Sequence, residues 1–317
     1  MHVHPEAQRR FKSEIVADQL RRLGRVENPK VDHADGFGGP RTTVRCVVTE
    51  GKAGYRALRS HQTFAAISCS AAHPLVEELI VDAHFGSAEQ VTLRASVATG
   101  QRIAVIDGGE PSDVSVPDDV VVVTTEAAGD VSIEEVVSGQ SFRVSAGSFF
   151  QASPQGAAVL ATTVADHVDH LGVGVSGGAG SAVDLYGGVG LLGAIAVPDR
   201  LSALVEWNAA AVGDAAHNLT QLAVQIERSK VENWKPRQSF ELALADPARR
   251  GLGREGVTAV GRSGASQLVV VNCDPAAAGR DAALLIEQGW KHVRTTVVDL
   301  FPDTSNVEAV SSYQLRL

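Results

Sequence analysis

Asp184-Leu185-Tyr186-Gly187-Gly188-Val189-Gly190 reads as the end of a buried strand followed by a glycine turn that opens a helix. Residues 183–186 supply the strand. Gly188-x-Gly190-x-x-Gly193 supplies the turn, because glycine lets the backbone come close to a ligand. Working outward, apolar segments at 201–206, 222–226, 242–246, 268–272, 293–299 and 307–315 repeat the strand pattern. Helical patterns fit between the first six, notably 208–218 and 275–288. Strands alternating with helices predict a parallel sheet with crossover helices. The last two strands are separated only by the Pro302-Asp303 turn, too short for a crossover, so the seventh strand is expected to run antiparallel to its neighbour.

The chain before this sheet has another character. Residues 5–23 read as an amphipathic helix, with Phe11, Ile15, Val16, Leu20 and Leu23 on one face and Gly24 as its stop. Its other face carries Arg9, Arg10, Lys12, Arg21 and Arg22, which reads as a solvated face. From 41 to 144 the pattern is of short strands at 43–49, 55–59, 91–97, 102–106 and 120–125, with turns at 51–54 and 99–100. The change falls near Phe149. The expected organisation is a domain of residues 1–148, a helix and a mainly antiparallel β-rich body, followed by an α/β domain of residues 149–317 with a doubly wound sheet of seven strands.

Composition narrows the function classes. With 317 residues, 44% hydrophobic and 21% charged, the chain is large enough for two cores and reads as a soluble protein. No apolar stretch suggests a signal peptide or membrane span, so a cytoplasmic location without a membrane partner is expected. A net charge of -9 argues against indiscriminate grip on nucleic acid and leaves room for a local basic patch. Cys46, Cys69 and Cys273 are odd in number and widely spaced, as expected of reduced thiols.

Several residues carry candidate chemistry. Glu206 ends the second sheet strand, where a carboxylate can accept hydrogen bonds from both hydroxyls of a ribose, which fits a nicotinamide dinucleotide or S-adenosylmethionine. Cys273 ends the fifth strand at the carboxyl edge of the sheet, and Pro275 starts a helix whose amino end would lower the thiol pKa. Asp274 opposes that effect unless a cation such as Arg280 compensates. Arg249, Arg250 and Arg254 are candidates for phosphate contacts or ordinary surface charges. Trp207 suits either an adenine-flanking or a core role. The glycine-rich stretch 172–181 reads as a lid or a plain connector.

Taken in order, these motifs resemble the RNA uracil-5-methyltransferase family, which belongs to the class I methyltransferases. The resemblance rests on Ser148-Phe149-Phe150-Gln151, the 184–190 turn, Glu206, Asn218, Asp246-Pro247-Ala248-Arg249, Asn272-Cys273-Asp274-Pro275, Arg280-Asp281, Asp299-Leu300-Phe301-Pro302 and Val307-Glu308. Gly54-Tyr55-Arg56, Ser60-His61 and Cys69 are similar to the family's central domain, so the likeness spans nearly the whole chain.

The resemblance implies an enzyme forming 5-methyluridine in tRNA or ribosomal RNA from S-adenosylmethionine. By carry-over, Cys273 would add to C6 of uracil and Glu308 would remove the C5 proton. Gln151, Tyr186, Gly188, Gly190, Glu206 and Asp246 would line the donor site; Phe149 or Phe150 would pack near the base, and Arg249 would face the substrate. A paired base must leave its stack to reach such a pocket.

The chain also departs from the family. Ala248 replaces a usual proline, Asn272 and Asp274 replace serine and asparagine, Asn306 replaces histidine, and Gly187 stands where many members carry cysteine. Many relatives begin with a small RNA-binding barrel and hold an iron-sulfur cluster on four cysteines. The barrel and three of those cysteines are not read in this sequence, which leaves Cys69 as a solitary candidate ligand, and no cluster is expected. Two further expectations stay open: a catalytically weak RNA-binding or donor-binding relative, and a nicotinamide-dependent oxidoreductase.

Overall fold

The computed structural model describes residues 4–36, 38–172, 181–302 and 304–316. The glycine-rich stretch 172–181 lies almost wholly outside the described residues. The chain forms two compact units, one of Met1–Gly38 with Ala158–Leu317 and the other of Gly39–Ala157. This differs from the expected boundary after residue 148, because the N-terminal helix packs on the sheet that follows in sequence far downstream.

In chain order, the elements begin with α1 (Pro5–Arg22) and β1 (Val31–His33) of the first unit. The second unit then contributes β2 (Thr43–Thr49), β3 (Lys52–Arg56), β4 (Thr63–Ala65), α2 (Pro74–Asp82), β5 (Gln90–Ala95), β6 (Arg102–Asp107), β7 (Val120–Thr124), β8 (Ser132–Val137) and β9 (Gln140–Ser145). After α3 (Pro154–His170), the chain returns to the first unit with β10 (Ala182–Leu185), α4 (Leu191–Ala196), β11 (Leu201–Glu206), α5 (Ala209–Asn218) and β12 (Gln225–Arg228). It ends with β13 (Leu242–Ala245), α6 (Gly253–Arg262), β14 (Gln267–Asn272), α7 (Pro275–Glu287), β15 (Trp290–Val298) and β16 (Glu308–Leu315).

The first unit is built on a sheet of order β1-β15-β16-β14-β13-β10-β11-β12. The seven expected strands are all present, and β16 runs antiparallel between β14 and β15, as the short turn before it requires. Every residue of β10, β13 and β14 is buried, the pattern of central strands covered on both faces. An eighth strand, β1, extends the edge parallel to β15. The third sheet strand begins later than predicted, at Gln225, because Leu219 to Leu222 close the end of α5 in a turn.

Helix α1 corrects its predicted faces. Lys12, Val16 and Leu20 form the buried seam, while Phe11, Ile15 and Leu23 are exposed. Lys12 is only 3% exposed, and its ammonium donates to Asp299 Oδ1 at 2.7 Å and to the Phe301 carbonyl at 2.9 Å. The charge is tolerated in the interior because a carboxylate and a carbonyl oxygen take two of its three hydrogens. Glycine brings α1 against α7: a Cβ on Gly279 would stand 2.6 Å from the Gln19 carbonyl, and one on Gly24 3.0 Å from the Ala282 Cβ.

The second unit holds a six-stranded sheet of order β4-β3-β2-β5-β6-β7 and a separate β8–β9 hairpin. It is antiparallel except that β7 lies parallel to β6, a pairing allowed by the long connection 108–119. Glu50 and Gly51, both at positive φ, make the tight turn between β2 and β3, so Gly54 lies in a strand and not in the predicted turn. Leu79, Ile80, Phe85, Leu93 and Ile106 form its core with Cys46. The buried Arg94 donates to the carbonyls of Ser145 at 2.9 Å and Ser148 at 2.8 Å. Beside it, burial raises the Glu135 carboxyl to about 7 against the opposing charge of Arg94.

Candidate active site

The glycine turn is assembled by two carboxylates that serve backbone groups. Asp184, fully buried at the end of β10, accepts from Gly193 N at 3.0 Å and so ties the strand to the first turn of α4. Burial raises its pKa to about 7. Glu206 at the end of β11 accepts from Gly188 N at 3.1 Å, Trp207 N at 2.8 Å and Asn208 N at 2.7 Å. Gly188 and Gly190 both adopt positive φ. Gly190 caps α4, and Asn218 donates to the Val189 carbonyl at 3.0 Å. A Cβ on Gly188 would meet no atom within 4 Å, so the turn borders open space beside a carboxylate. That combination suits a nucleoside whose ribose hydroxyls donate to the Glu206 carboxylate.

Gly187 is a glycine for a different reason. A Cβ there would press on the Leu204 side chain at 2.6 Å. Tyr186, also at positive φ, directs its hydroxyl to Glu232 Oε1 at 3.0 Å while its ring packs against the core. Trp207 is 61% exposed, which removes the core role considered for it.

The second half of the site stands at the ends of three neighbouring strands. In the β14–β16 pair, Asn272 faces Ala309, and the next residues outward are Cys273 and Glu308. Asp246 follows the adjoining β13, and Arg249 lies three residues on. Cys273 is half-buried, Glu308 is buried and Arg249 reaches solvent. Burial raises the Cys273 thiol, the charges of Glu308 and Asp246 raise it further, and a hydrogen bond and charge from Arg249 oppose them. Burial pushes the Glu308 carboxyl well above the ordinary carboxylate range, with Asp246 adding and Arg249 subtracting. Burial alone lifts Asp246 to about 7. Glu308, Asp246 and Arg249 thus all bear on the Cys273 thiol, and Asp246 and Arg249 bear on Glu308.

Two expectations about the thiol need correction. The Cys273 thiol is raised and not lowered, because desolvation and the charges of Glu308 and Asp246 act on it. Asp274 is not the opposing charge: its side chain accepts from Ala277 N at 2.7 Å as the cap of α7. The compensating cation is Arg249, while Arg280 acts on Asp281.

Phe149, Phe150 and Gln151 belong to the other unit. Phe149 is 71% exposed and Phe150 is buried. The stretch is held at both ends, by Arg94 on the Ser148 carbonyl and by the Thr42 amide on the Ala152 carbonyl at 2.8 Å. Arg250 and Arg254 are exposed. In the same unit the Cys69 thiol lies 3.0 Å from the Tyr55 hydroxyl. Among the described residues, no group of three or more His, Cys, Asp or Glu side chains is placed to hold a metal ion.

Sequence reasoning passed over the brace behind this cluster. Asp281 accepts from Leu252 N at 2.8 Å, Gly253 N at 3.0 Å and Asn272 Nδ2 at 3.0 Å. Its signal was present in the Arg280-Asp281 pair and in Asn272, which had been read only as a motif and a departure.

No family model matches the chain. An uncharacterized RNA methyltransferase of Streptomyces avermitilis is 33% identical to it over 98% of this chain and 78% of the relative. An uncharacterized RNA methyltransferase of Streptomyces coelicolor is also 33% identical, over 98% of this chain and 74% of the relative. Among solved structures, the Pyrococcus abyssi tRNA (uracil-54, C5)-methyltransferase in complex with S-adenosyl-L-homocysteine superposes with a TM-score of 0.74. It is 20% identical, and the match covers 98% of this chain and 84% of that one. The likeness bears out the predicted class I methyltransferase fold.

Proposed function

This chain belongs to the RNA methyltransferase family, and on that premise we propose that it methylates C5 of uridine in tRNA or ribosomal RNA through a covalent Cys273 adduct. The membership sets aside the oxidoreductase reading of the glycine turn. S-adenosylmethionine suits the open face of Gly188 and the Glu206 carboxylate, and when bound it supplies an electrophilic methyl group.

The observation that carries the reading is the placement of Cys273 and Glu308 at adjacent strand ends, with Arg249 close enough for its charge to oppose the raised pKa of both. Uracil C5 is too weak a nucleophile to take a methyl group unaided. In the proposed reaction the Cys273 thiolate forms a bond to C6, and the C5–C6 double-bond electrons move to give an enolate with nucleophilic C5. C5 would take the methyl group as the donor's S–CH3 bond breaks and its sulfur leaves as a thioether; Glu308 then takes the C5 proton, and the returning electron pair re-forms the double bond as the Cys273–C6 bond breaks. Burial makes an ionised Glu308 a stronger base than an ordinary carboxylate. Arg249 favours the thiolate by hydrogen bond and charge.

Tyr186, Gly190 and Asp246 are proposed to line the donor site, and the exposed Phe149 to stack on a base of the RNA. Incubation with labelled S-adenosylmethionine and cellular RNA should yield 5-methyluridine, and Cys273→Ala should abolish it. Label appearing on another nucleotide, or an undiminished yield from the variant, would refute the reading.

A further inference from the structure

We infer that Asp281 is a positioning residue that holds Arg249 on the Cys273 thiol. Asp281 lies on α7, two turns beyond its start, and is buried. Both of its oxygens are engaged: Oδ1 accepts from Gly253 N at 3.0 Å, and Oδ2 accepts from Leu252 N at 2.8 Å and Asn272 Nδ2 at 3.0 Å. One carboxylate thus fastens the end of the 246–253 loop to the last residue of β14. That loop begins with Asp246 and carries Arg249, and β14 delivers Cys273.

The loop's shape depends on this contact. Gly251 has φ of 77°, and a Cβ there would stand 2.3 Å from Asp281 Oδ2, so only glycine lets the backbone lie against the carboxylate. The Gly251 amide donates to the Ala248 carbonyl at 2.8 Å, which closes the turn around Arg249. Asp281 touches neither Cys273 nor Arg249 in any contact described above; its influence passes through the loop. Burial raises its carboxyl while the three donors hold it down. A neutral amide in its place would turn an NH2 group toward a donor, leaving two hydrogens facing each other.

The inference rests on Cys273 being the nucleophile, but its test needs neither RNA nor cofactor. Iodoacetamide alkylation of the full chain, followed by mass spectrometry on the peptide holding Cys273, reports the thiolate fraction against pH. Loss of the Arg249 charge removes a group that lowers the thiol pKa, so the profile moves to higher pH. Asp281→Asn should slow alkylation at pH 8 by about tenfold, corresponding to about one pKa unit. Arg249→Ala should do the same, and Asp281→Asn in that background should add nothing further. Gly251→Ala, which pushes the loop off the carboxylate from the other side, should reproduce the shift if Asp281→Asn does not fold. A wild-type profile in a folded Asp281→Asn or Gly251→Ala protein would overturn the inference. So would an equal slowing of alkylation in the Arg249→Ala background, since the effect would then not pass through Arg249.

Discussion

The glycine turn and the Cys273 cluster stand at the same edge of one sheet, yet they manage buried charge in opposite ways. At the turn, Glu206 collects three backbone amides, so its charge is met by groups that do not titrate. At the cluster, Cys273, Asp246 and Glu308 raise one another or are raised by burial, with a single arginine opposing them. A binding surface benefits from fixed donors, which cost nothing to reorganise when a ligand arrives. A reacting surface needs groups whose protonation can change near working pH. On the proposed function, the contrast separates recognition from chemistry along one edge of the sheet.

The contrast can be broken most severely at the nucleophile. Cys273→Ser should reduce product to background and leave no adduct on 5-fluorouridine RNA in denaturing gels. Glu308→Gln should lower the methylation rate by about 10²- to 10⁴-fold, the usual contribution of a positioned base. The same variant should still trap the 5-fluorouridine adduct, because Cys273 addition precedes proton removal.

Acidity sharpens the comparison. The folded-state pKa values of Cys273, Glu308 and Asp246 are all raised, and the proposed mechanism uses the thiolate and the carboxylate. Methylation should therefore rise as pH increases through neutrality and fall below it, where the acids hold their protons. At the turn, Glu206→Gln should weaken S-adenosylmethionine binding by about tenfold, read by calorimetry, because one charge-assisted acceptor becomes a donor. The shape of its pH–rate profile should stay that of the wild type.

The smallest effect concerns stability in the other unit. Glu135 has a folded pKa of about 7, above its ordinary 4.5, so its contribution is fully present below 4.5 and lost as pH rises through 7. Glu135→Gln should remove that pH dependence and raise stability at pH 8, on the order of 1–3 kcal/mol in chemical denaturation.

Much of the fold was legible because its strands are apolar runs punctuated by glycine, proline and a charged terminus. The reversal of β16 followed from loop length alone, since no crossover fits the Pro302 turn. Lys12 was misread because its partner, Asp299, lies 287 residues away, and no periodicity encodes a distant oxygen. The same limitation concealed β1, a three-residue strand whose pairing with β15 is wholly tertiary. At the site, Cys273 and Glu308 could be named from motif order, but the cation serving the thiol could not. Arg280 is nearer in sequence, and Arg249 is the one brought to it by the folded loop.

The crossing of α1 and α7 at Gly24 and Gly279 reaches further than packing. Helix α7 starts two residues beyond Cys273 and is pinned from behind by α1, with no room for even a methyl shim at position 279. Helix α1 thereby acts as a foundation for the helix that follows Cys273, and a wedge driven between the two would tilt the post beside the proposed nucleophile.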